Sequence, residues 1–408
     1  MTVTHRGVWR PEDRAASRYV YLPVEVGAGQ RSLTVRLEYD RSTDGVLDLG
    51  CLGPDGAFRG WSGGARAEFT ISEAWATPGY LPGTVQPGTW QVILGLHRVP
   101  TDGVAWQVVA STGREPTSRA QPVPPMDWPD RAGRALPAPH GYRWLAGDLH
   151  AHTVHSDGTL TVPELARLAA DSGLDFLAVT DHNTVSHHRE LSDVSGILLV
   201  PGQEVTTDRG HANAFGAIGW VDFRQPADAW LSAVNADGGL MSVNHPLGGD
   251  CAWRQPLTAR PPLAEVWHSG WWDRTWGAPL AWLLAWDAWE GRPTVPVGGS
   301  DFHDPAQGRL PGEPTTWTLC PVTDPREASV EQVLDALAAG RVAVTASPTG
   351  PGLLRLDEEL IAVDAEGLLL ADVSGQRRLV RSPLARFPAG VGPYWLEDDR
   401  TQVMALAP

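Results

Sequence analysis

The chain has few cysteines and no long apolar run, and each absence excludes a class of protein. Its three cysteines are widely spaced and form no Cys-x-x-Cys motif, so neither a disulfide framework nor a cysteine-based zinc ribbon is indicated. No segment approaches the roughly eighteen apolar residues of a membrane helix, and residues 1–6 contain no hydrophobic signal core. We therefore expect a soluble cytoplasmic protein without a membrane partner.

Positive charge is also scarce. The chain has 32 Lys and Arg against 48 Asp and Glu, a formal net charge of −16. This balance disfavours a dedicated nucleic-acid binder, which usually carries a basic face. An anionic substrate would need a local source of positive charge, and bound metal ions would supply it. At 408 residues with 42% hydrophobic residues, the chain is long and apolar enough for two or three domains with sizeable cores.

Composition and turn signals divide the chain into four parts. Residues 1–125 contain short strand-like segments separated by Gly/Pro-rich turns and no helix-period stretch, which predicts a β-sandwich. These segments are residues 18–26, 32–39, 46–51, 66–71, 89–96 and 104–110. A structural or docking role for this domain is favoured, with carbohydrate binding as the alternative. Residues 126–141 form a proline-rich linker, and residues 346–408 a β-rich extension.

The pattern in residues 142–345 alternates helices with short apolar strands. Thr161 and Glu164 have the spacing of a capping box, with Pro163 in the first turn of the predicted helix. The apolar run 176–179 is too short for a helix and is typical of a buried parallel strand. An α/β fold is predicted for this region.

Residues of the types that bind metal ions, together with neighbouring polar residues, follow one apolar run after another. They are His150 and His152, Asp181 and His182, Glu204, Asn244 and His245, His268, and Asp301 and His303. In a (β/α) barrel the carboxyl ends of the strands converge on one face, which is where such folds build their sites. His150 and His152 would also share one face of a strand, about 7 Å apart, so that one ion could bind both. Taken alone, such a pair is more often a polar strand end without a chemical function.

The ordered set of motifs resembles the polymerase-and-histidinol-phosphatase (PHP) superfamily, and its spacing is most similar to the branch related to carbaryl hydrolase. These motifs are His150-x-His152, Ser156-Asp157-Gly158, Thr180-Asp181-His182, Gly202-x-Glu204, Gly210-His211, Asn244-His245-Pro246 and Ser300-Asp301-x-His303. The resemblance covers residues 143–345. It implies a distorted (β/α)7 TIM-like barrel and a centre of two or three zinc, manganese or iron ions.

The resemblance also implies a ligand set, which we carry over residue by residue. It assigns the first ion to His150, His152, Glu204 and Asp301, and the second to Asp157, His182 and His303. Glu204 would bridge to a third ion bound by His245 and, in one variant, His211. Imidazole and carboxylate ligands without thiolate suit zinc, manganese or iron in open sites.

Other residues near the predicted ligands are candidates for supporting roles. Asp148 and Asp181 are expected to orient imidazoles, with Asn213 and Asn244 in similar roles, and His187 and His188 to face solvent. His268 replaces the Asn-Gly that usually follows this strand in the branch, and it is a wall residue or a substrate or metal contact. Trp271 and Trp272 would wall an apolar pocket or pack on the N-terminal domain. Arg209 and Arg254 would contact an anionic substrate or remain ordinary surface arginines.

The predicted chemistry is hydrolysis of a small-molecule ester by a metal-activated water, with Asp157 or His211 transferring the proton. A phosphoester is the first choice of substrate, because clustered cations match a doubly charged phosphate. A carboxyl or carbamate ester is the alternative that a tryptophan wall would favour. A nuclease ranks third because of the acidic charge, and a non-catalytic β-sandwich binding protein ranks last because the ligand set is intact.

Overall fold

The computed structural model describes residues 2–113, 127, 134–269, 278–290 and 293–408. The chain divides into two compact units. The first comprises Met1–Val123, Val154–Gly158 and Asp181–Arg189, and the second comprises the remaining residues. Residues 126 and 128–133 of the expected linker lie outside the described residues, as do Trp271 and Trp272. No helix among the described residues has the length and apolar character needed to cross a bilayer.

The first unit contains two four-stranded antiparallel sheets. Its strands are β1 (Thr2–Trp9), β2 (Tyr19–Val26), β3 (Ser32–Tyr39), β4 (Val46–Leu52), β5 (Phe58–Gly63), β6 (Glu68–Ser72), β7 (Gly88–Arg98) and β8 (Val104–Gly113). One sheet has the order β1-β8-β3-β6 and the other β2-β7-β4-β5. Leu33, Val35 and Leu37 alternate with more exposed residues along β3 and are buried in the core. The predicted sandwich is confirmed.

Three elements of this unit differ from the sequence-based prediction. Strands β1 and β5 were not expected, because β1 is a largely exposed edge strand without apolar alternation and β5 contains two glycines. A helix, α1 (Pro11–Ala16), interrupts the strands that we expected to be uninterrupted. It has no buried residue, so it leaves no apolar stripe in the sequence; Pro11 and two acidic residues in its first turn suit a helix start.

The second unit contains most of the helices and a mixed thirteen-stranded sheet. Its strands before residue 346 are β9 (Arg143–Asp148), β10 (Phe176–Val179), β11 (Leu198–Thr207), β12 (Gly210–Phe215), β13 (Leu240–Val243), β14 (Leu263–His268), β15 (Val295–Gly299), β16 (Thr315–Cys320) and β17 (Val342–Thr345). The helices after α1 are α2 (Val162–Asp171), α3 (His188–Leu191), α4 (Ala227–Ala236), α5 (Ala278–Glu290) and α6 (Val330–Ala338). The α/β prediction is confirmed.

The sheet departs from regular β/α alternation at two strands. Strands β9, β10 and β11 are parallel, as are β13, β14 and β15. Strand β12 instead forms an antiparallel hairpin with β11, and β16 runs antiparallel to β9. In the hairpin, Glu204 lies opposite Asn213 and Thr206 opposite His211. Because opposite residues point to the same side of a sheet, these four side chains share one face.

Hydrogen bonds connect β15, which stands at one end of the strand order, to β16 near the middle of that order. The Thr316 hydroxyl accepts from the backbone N–H of Gly298 and donates to its carbonyl, both at 2.8 Å. Beyond the strand ends, Ala151 forms a parallel bridge with Phe302, and the N–H of His152 donates to the Phe302 carbonyl at 2.8 Å. The sheet therefore curls so that the segments after β9 and β15 lie side by side.

Helix α2 begins directly after Thr161, as the capping box in the sequence predicts. The Thr161 hydroxyl accepts from the N–H of Glu164, and the Glu164 carboxylate accepts from the N–H of Thr161 at 2.8 Å. Leu165 and Ala169 are fully buried on the inner face of the helix. This connection carries the chain from β9 back to the start of the parallel neighbour β10.

The β-rich C-terminal region is also observed. Its strands are β18 (Gly352–Leu356), β19 (Glu359–Val363), β20 (Leu369–Asp372), β21 (Arg377–Leu379), β22 (Leu384–Pro388), β23 (Tyr394–Glu397) and β24 (Val403–Ala407). Strand β24 pairs with β17 and thereby adds β23, β20 and β21 to the large sheet, whereas β18, β19 and β22 form a separate sheet.

Packing at Gly147 gives a test of how the strand before His150 is held. A Cβ at Gly147 would lie 2.0 Å from the Phe176 ring, which is fully buried. We expect Gly147→Ala to lower the free energy of unfolding by about 1–3 kcal/mol, because the ring must leave its rotamer or the strands must separate. Urea denaturation measures the loss. Gly219→Ala, whose Cβ has no neighbour closer than 3.8 Å, is the control and should change stability far less.

The half-buried carboxyl group of Asp48 in the sandwich gives a pH-dependent prediction. Burial raises the pKa of Asp48 from 3.8 to about 7, and its strand partner is Gly95, where a Cβ would lie 2.6 Å from the carboxylate. Since the folded state holds this proton more tightly than the unfolded state, the contribution of Asp48 to stability falls as pH rises between these two values. Asp48→Asn should remove that part of the pH dependence of the unfolding midpoint. The exposed Asp102→Asn variant should retain it.

Candidate metal centre

The site is built around His150, which follows β9 and is fully buried. Its Nδ1 lies 3.0 Å from Oε1 of Glu265 on β14. Its Nε2 lies 3.2 Å from Oε1 of Glu204 on β11 and 3.1 Å from Oδ1 of Asp301 after β15. Carboxylates from three different strands therefore surround one imidazole.

Two groups of potential ligand atoms share His150. His150, His152 and Glu204 form one group, and His150, His245 and Asp301 form the other. Within each group, one potential ligand atom from each residue lies within 4.8 Å of the corresponding atoms of the others. The structure thus brings together the four residues that the resemblance assigns to the first ion, with His245 beside them.

Asp301 connects several of the histidines. Its Oδ1 lies 3.0 Å from Nε2 of His152, and its Oδ2 lies 3.0 Å from Nε2 of His268. Burial alone would raise the pKa of Asp301, but His150 and the hydrogen bonds from His152 and His268 hold the pKa well below its ordinary value. Its backbone is left-handed, with φ of 52°, a conformation that costs energy in a residue with a side chain.

Glu204 is the second point of convergence. Its Oε1 lies 3.3 Å from Nε2 of His245 and 3.2 Å from Nδ1 of His211, and it accepts a hydrogen bond from the Asn244 amide at 2.9 Å. His211 reaches the carboxylate because Thr206, opposite it in the hairpin, shares a face with Glu204. Burial alone would lower the pKa of His245, but the hydrogen bond and charge of Glu204 raise it.

The ring of His303 is oriented by a hydrogen bond to the backbone. Its Nδ1 donates to the backbone carbonyl of Asp301 at 2.8 Å, so Nε2 is the unprotonated nitrogen of the neutral ring. The ring stacks on that of His152, with centroids 4.1 Å apart. A backbone hydrogen bond of this kind fixes both the tautomer and the orientation of a ligand imidazole.

Asp157 and His182 belong to the first unit. Oδ1 of Asp157 lies 3.5 Å from Nε2 of His182. Two ligands at about 2.0–2.1 Å from a tetrahedral zinc ion are separated by about 3.3 Å, so this spacing fits a shared ion. Their assignment to the second ion remains a prediction.

The chemistry around His150 supplies a test of whether a cation fits. Because Glu265 accepts from Nδ1, the lone pair of Nε2 faces the oxygens of Glu204 and Asp301. Within the described part of the chain, Nε2 is buried and makes no hydrogen bond of acceptable geometry. Facing lone pairs repel one another unless a positive charge lies between them, and a divalent ion bound by all three atoms would meet this need.

The carboxylates that surround His150 also determine the direction in which its pKa is shifted. Burial alone would lower it, but the charges of Asp301, Glu204 and Glu265 together raise the pKa well above its ordinary value. The field of these carboxylates therefore favours positive charge at Nε2. The residues present fit a divalent ion.

Glu265 is the supporting residue that the sequence interpretation missed. Besides its contact with His150, its Oε2 accepts from the backbone N–H of His245 at 2.8 Å. The available signal was a carboxylate inside the apolar run 264–267, since buried Glu is rare unless it is paired. Asn244 does orient a ligand candidate, Glu204, as expected for a supporting amide.

Of the two aspartates expected to orient imidazoles, Asp181 lies beside one and Asp148 accepts from the backbone. Among the described residues, Asp148 accepts from the backbone N–H groups of His150, Ser300 and Gly312 and from no imidazole. It fixes the backbone before both ligand pairs instead. Asp181 lies 3.1 Å from Nδ1 of His187, which is fully buried, so the expectation that His187 faces solvent was wrong.

The predicted substrate-binding residues remain predictions. His268 contacts Asp301, as described above. Arg209 and Arg254 are exposed, and each donates to a backbone carbonyl, of Arg254 at 3.2 Å and of Asp208 at 2.9 Å respectively. Trp271 and Trp272 lie outside the described residues. Asn213 donates to the Leu149 carbonyl at 3.0 Å and so holds the end of β9.

Comparisons with known proteins give short or distant matches. No protein-family model matches the chain. It is 42% identical to the 5'-3' exoribonuclease Rnm of Escherichia coli over 65 residues, which are 15% of this chain and 22% of that protein. It is 38% identical to a 5'-3' exoribonuclease of Haemophilus influenzae over 64 residues, 15% and 23% of the two chains. These matches span about a fifth of the relatives' length.

Among solved structures, two matches are described as metal-dependent phosphoesterases. A two-domain protein from Bacteroides vulgatus with a predicted PHP-like phosphoesterase has a TM-score of 0.37 and 19% identity, covering 71% of this chain and 91% of that one. A putative metal-dependent phosphoesterase from Bifidobacterium adolescentis has a TM-score of 0.32 and 20% identity, covering 41% and 91%.

The role of Glu265 can be tested by replacing its charge. We expect Glu265→Gln to weaken metal binding by about 10–100-fold, because the amide holds the His150 ring less strongly and adds no negative charge. Competition with a chelator measures the affinity. Glu358→Gln, which changes an exposed carboxylate, is the control. Unchanged affinity in Glu265→Gln would contradict an orienting role.

Proposed function

We propose that this protein is a metal-dependent phosphoesterase with a di- or trinuclear centre. One observation carries the proposal: the buried Nε2 of His150 faces the carboxylates of Glu204 and Asp301 without a hydrogen bond to a described residue. His152 and His245 complete a set of ligand types that suits zinc, manganese or iron.

Divalent ions held there would supply a water of lowered pKa and a Lewis acid for the ester. The chain's own residues would hold and orient this machinery. Glu265 fixes the tautomer of His150, and Asn244 orients Glu204. Asp301 receives three histidine nitrogens and so fixes their spacing.

Proton transfer is assigned to His211 or Asp157. His211 is buried, and its Nδ1 lies 3.2 Å from Oε1 of Glu204, so its ring lies beside a predicted metal ligand. The Asp157 carboxylate is 46% exposed and can exchange protons with solvent. A proton shuttle must reach both the reacting group and water, and each residue meets part of that requirement.

Phosphoesters are favoured over other substrates because several cations in one site match the charge of a phosphate. Exposed Arg209 and Arg254 near the hairpin turn would add positive charge for such a substrate. A carboxyl or carbamate ester remains the alternative from the sequence, with Trp271 and Trp272 as its pocket wall.

Nuclease activity is a second candidate, and the short match to 5'-3' exoribonucleases favours it. The net charge of −16 opposes extended contact with a nucleic-acid backbone. A short nucleotide substrate would be consistent with both the exoribonuclease match and the negative net charge.

A substrate panel separates these activities. Metal-loaded protein is assayed with p-nitrophenyl phosphate, bis-p-nitrophenyl phosphate, naphthyl esters and carbamates, and a 5'-phosphorylated RNA oligonucleotide. We expect turnover of a phosphoester. Turnover of carbamates alone would reject a phosphoesterase, and preference for the RNA would establish the nuclease.

Loss of a first-ion ligand should abolish both metal content and turnover. We expect His150→Ala and Asp301→Ala to reduce turnover by more than about 100-fold, because loss of an outer partner alone costs about 10–100-fold. Elemental analysis and the phosphoester assay measure the two effects. His140→Ala, at an exposed position, is the control. Full activity of metal-free wild-type protein would reject the proposal.

A further inference from the structure

Two short segments of the α/β chain belong to the sandwich unit. Val154–Gly158 and Asp181–Arg189 group with Met1–Val123, although they follow β9 and β10 in the chain. They carry Asp157 and His182. Of the predicted metal ligands, these two alone lie in the first unit.

Arg66, just before β6, holds the segment that carries Asp157. Its Nη1 donates to the carbonyl of Ser156 at 2.8 Å, and its Nη2 donates to the carbonyl of Val154. A planar guanidinium can bind two carbonyls at fixed spacing, whereas a lysine ammonium cannot reproduce this fork. The first of these carbonyls belongs to Ser156, the residue directly before Asp157.

Gly79 holds the segment that carries His182. Its N–H donates to the Ser186 hydroxyl at 3.0 Å, and its carbonyl accepts from the Thr184 hydroxyl at 2.9 Å. The same carbonyl accepts from the backbone N–H of Trp61 on β5 at 3.0 Å. Gly79 has φ of 98°, and a Cβ there would lie 2.8 Å from the carbonyl oxygen of His155, so only glycine fits.

Buried hydrogen bonds join the two segments. Nδ1 of His155 lies 2.7 Å from the Ser186 hydroxyl, and the Ser156 hydroxyl donates to Asp181 at 2.6 Å. The bond between Ser156 and Asp181 joins the residues directly before Asp157 and His182. The bond between His155 and Ser186 connects to the contact with Gly79. The short distance between Asp157 and His182 therefore depends on a frame of sandwich residues.

We propose that the sandwich domain positions Asp157 and His182, two of the three predicted ligands of the second metal ion, with Arg66 as the positioning residue for Asp157 and Gly79 as that for His182. This inference rests on the proposed function, since it requires a centre with more than one ion. The ligands that the resemblance assigns to the first ion, His150, His152, Glu204 and Asp301, lie in the other unit. The sandwich thus has a role in metal binding, not only in docking.

The test compares Arg66→Ala with Arg59→Ala. Arg59 is a matched control, because it is also partly buried in the sandwich, and its hydrogen bonds to described residues go to the carbonyls of Leu81, Gly83 and Thr84, which lie outside both ligand-bearing segments. We expect Arg66→Ala to weaken the second ion about 10–100-fold and to leave the first ion bound. Elemental analysis at limiting and excess Mn²⁺ gives the stoichiometry, and electron paramagnetic resonance distinguishes coupled ions from an isolated ion.

Two further measurements separate positioning from general destabilisation. Hydrogen exchange of metal-free Arg66→Ala should increase in residues 154–158 and 181–189 more than elsewhere. Millimolar guanidinium should restore the second ion, whereas Arg66→Lys, which also serves if Arg66→Ala fails to fold, should not regain it.

The possible failures are distinguishable. Wild-type protein that binds one ion or none would reject the multinuclear centre itself. Wild-type protein with two ions, together with an Arg66→Ala variant of unchanged stoichiometry and affinity, would overturn only the positioning role. Equal losses in Arg59→Ala and Arg66→Ala would also overturn it, because the effect would then be one of sandwich stability.

Discussion

The structure depends on an imidazole nitrogen that is buried among carboxylates. Glu204, Glu265 and Asp301 approach His150 from three strands, and burying such charges is costly unless an opposite charge compensates them. One carboxylate accepts from Nδ1, and the remaining two face a lone pair. A divalent ion compensates this arrangement, and the neighbouring imidazoles provide further ligands for it. The arrangement is thus better explained by metal binding than by stability alone.

The fold brings these residues together through strand ends. Curling of the sheet places the segment after β15 next to the segment after β9, so that residues about 150 positions apart in the chain become neighbours. The backbone bonds of Asp148 to both segments fix their relative position. Left-handed backbone at Asp301 and near-left-handed backbone at His245 show that the site, and not local preference, determines conformation there.

The sequence was most informative where local rules and burial agree. The capping box of α2 and the apolar run of β10 were predictable because each has a short-range physical cause. The motifs also pointed to His150, His152, Glu204 and Asp301, which the fold brings together, and their role as metal ligands stays a prediction. Glu265 was not recognised, because its partner His150 is 115 residues away and no local pattern marks the pair. The exposed edge strand β1 and the antiparallel β12 depend on pairing partners, which alternation within one segment does not reveal.

The hairpin of β11 and β12 has a consequence for how the chain can vary in length. Glu204 and His211 are on one face only because the strands pair in their present register. A single inserted residue within either strand would reverse the side to which one of them points. An insertion between Thr207 and Gly210 would instead lengthen the turn and leave both side chains in place. Length differences among natural variants should therefore concentrate at this turn and be rare within the paired strands.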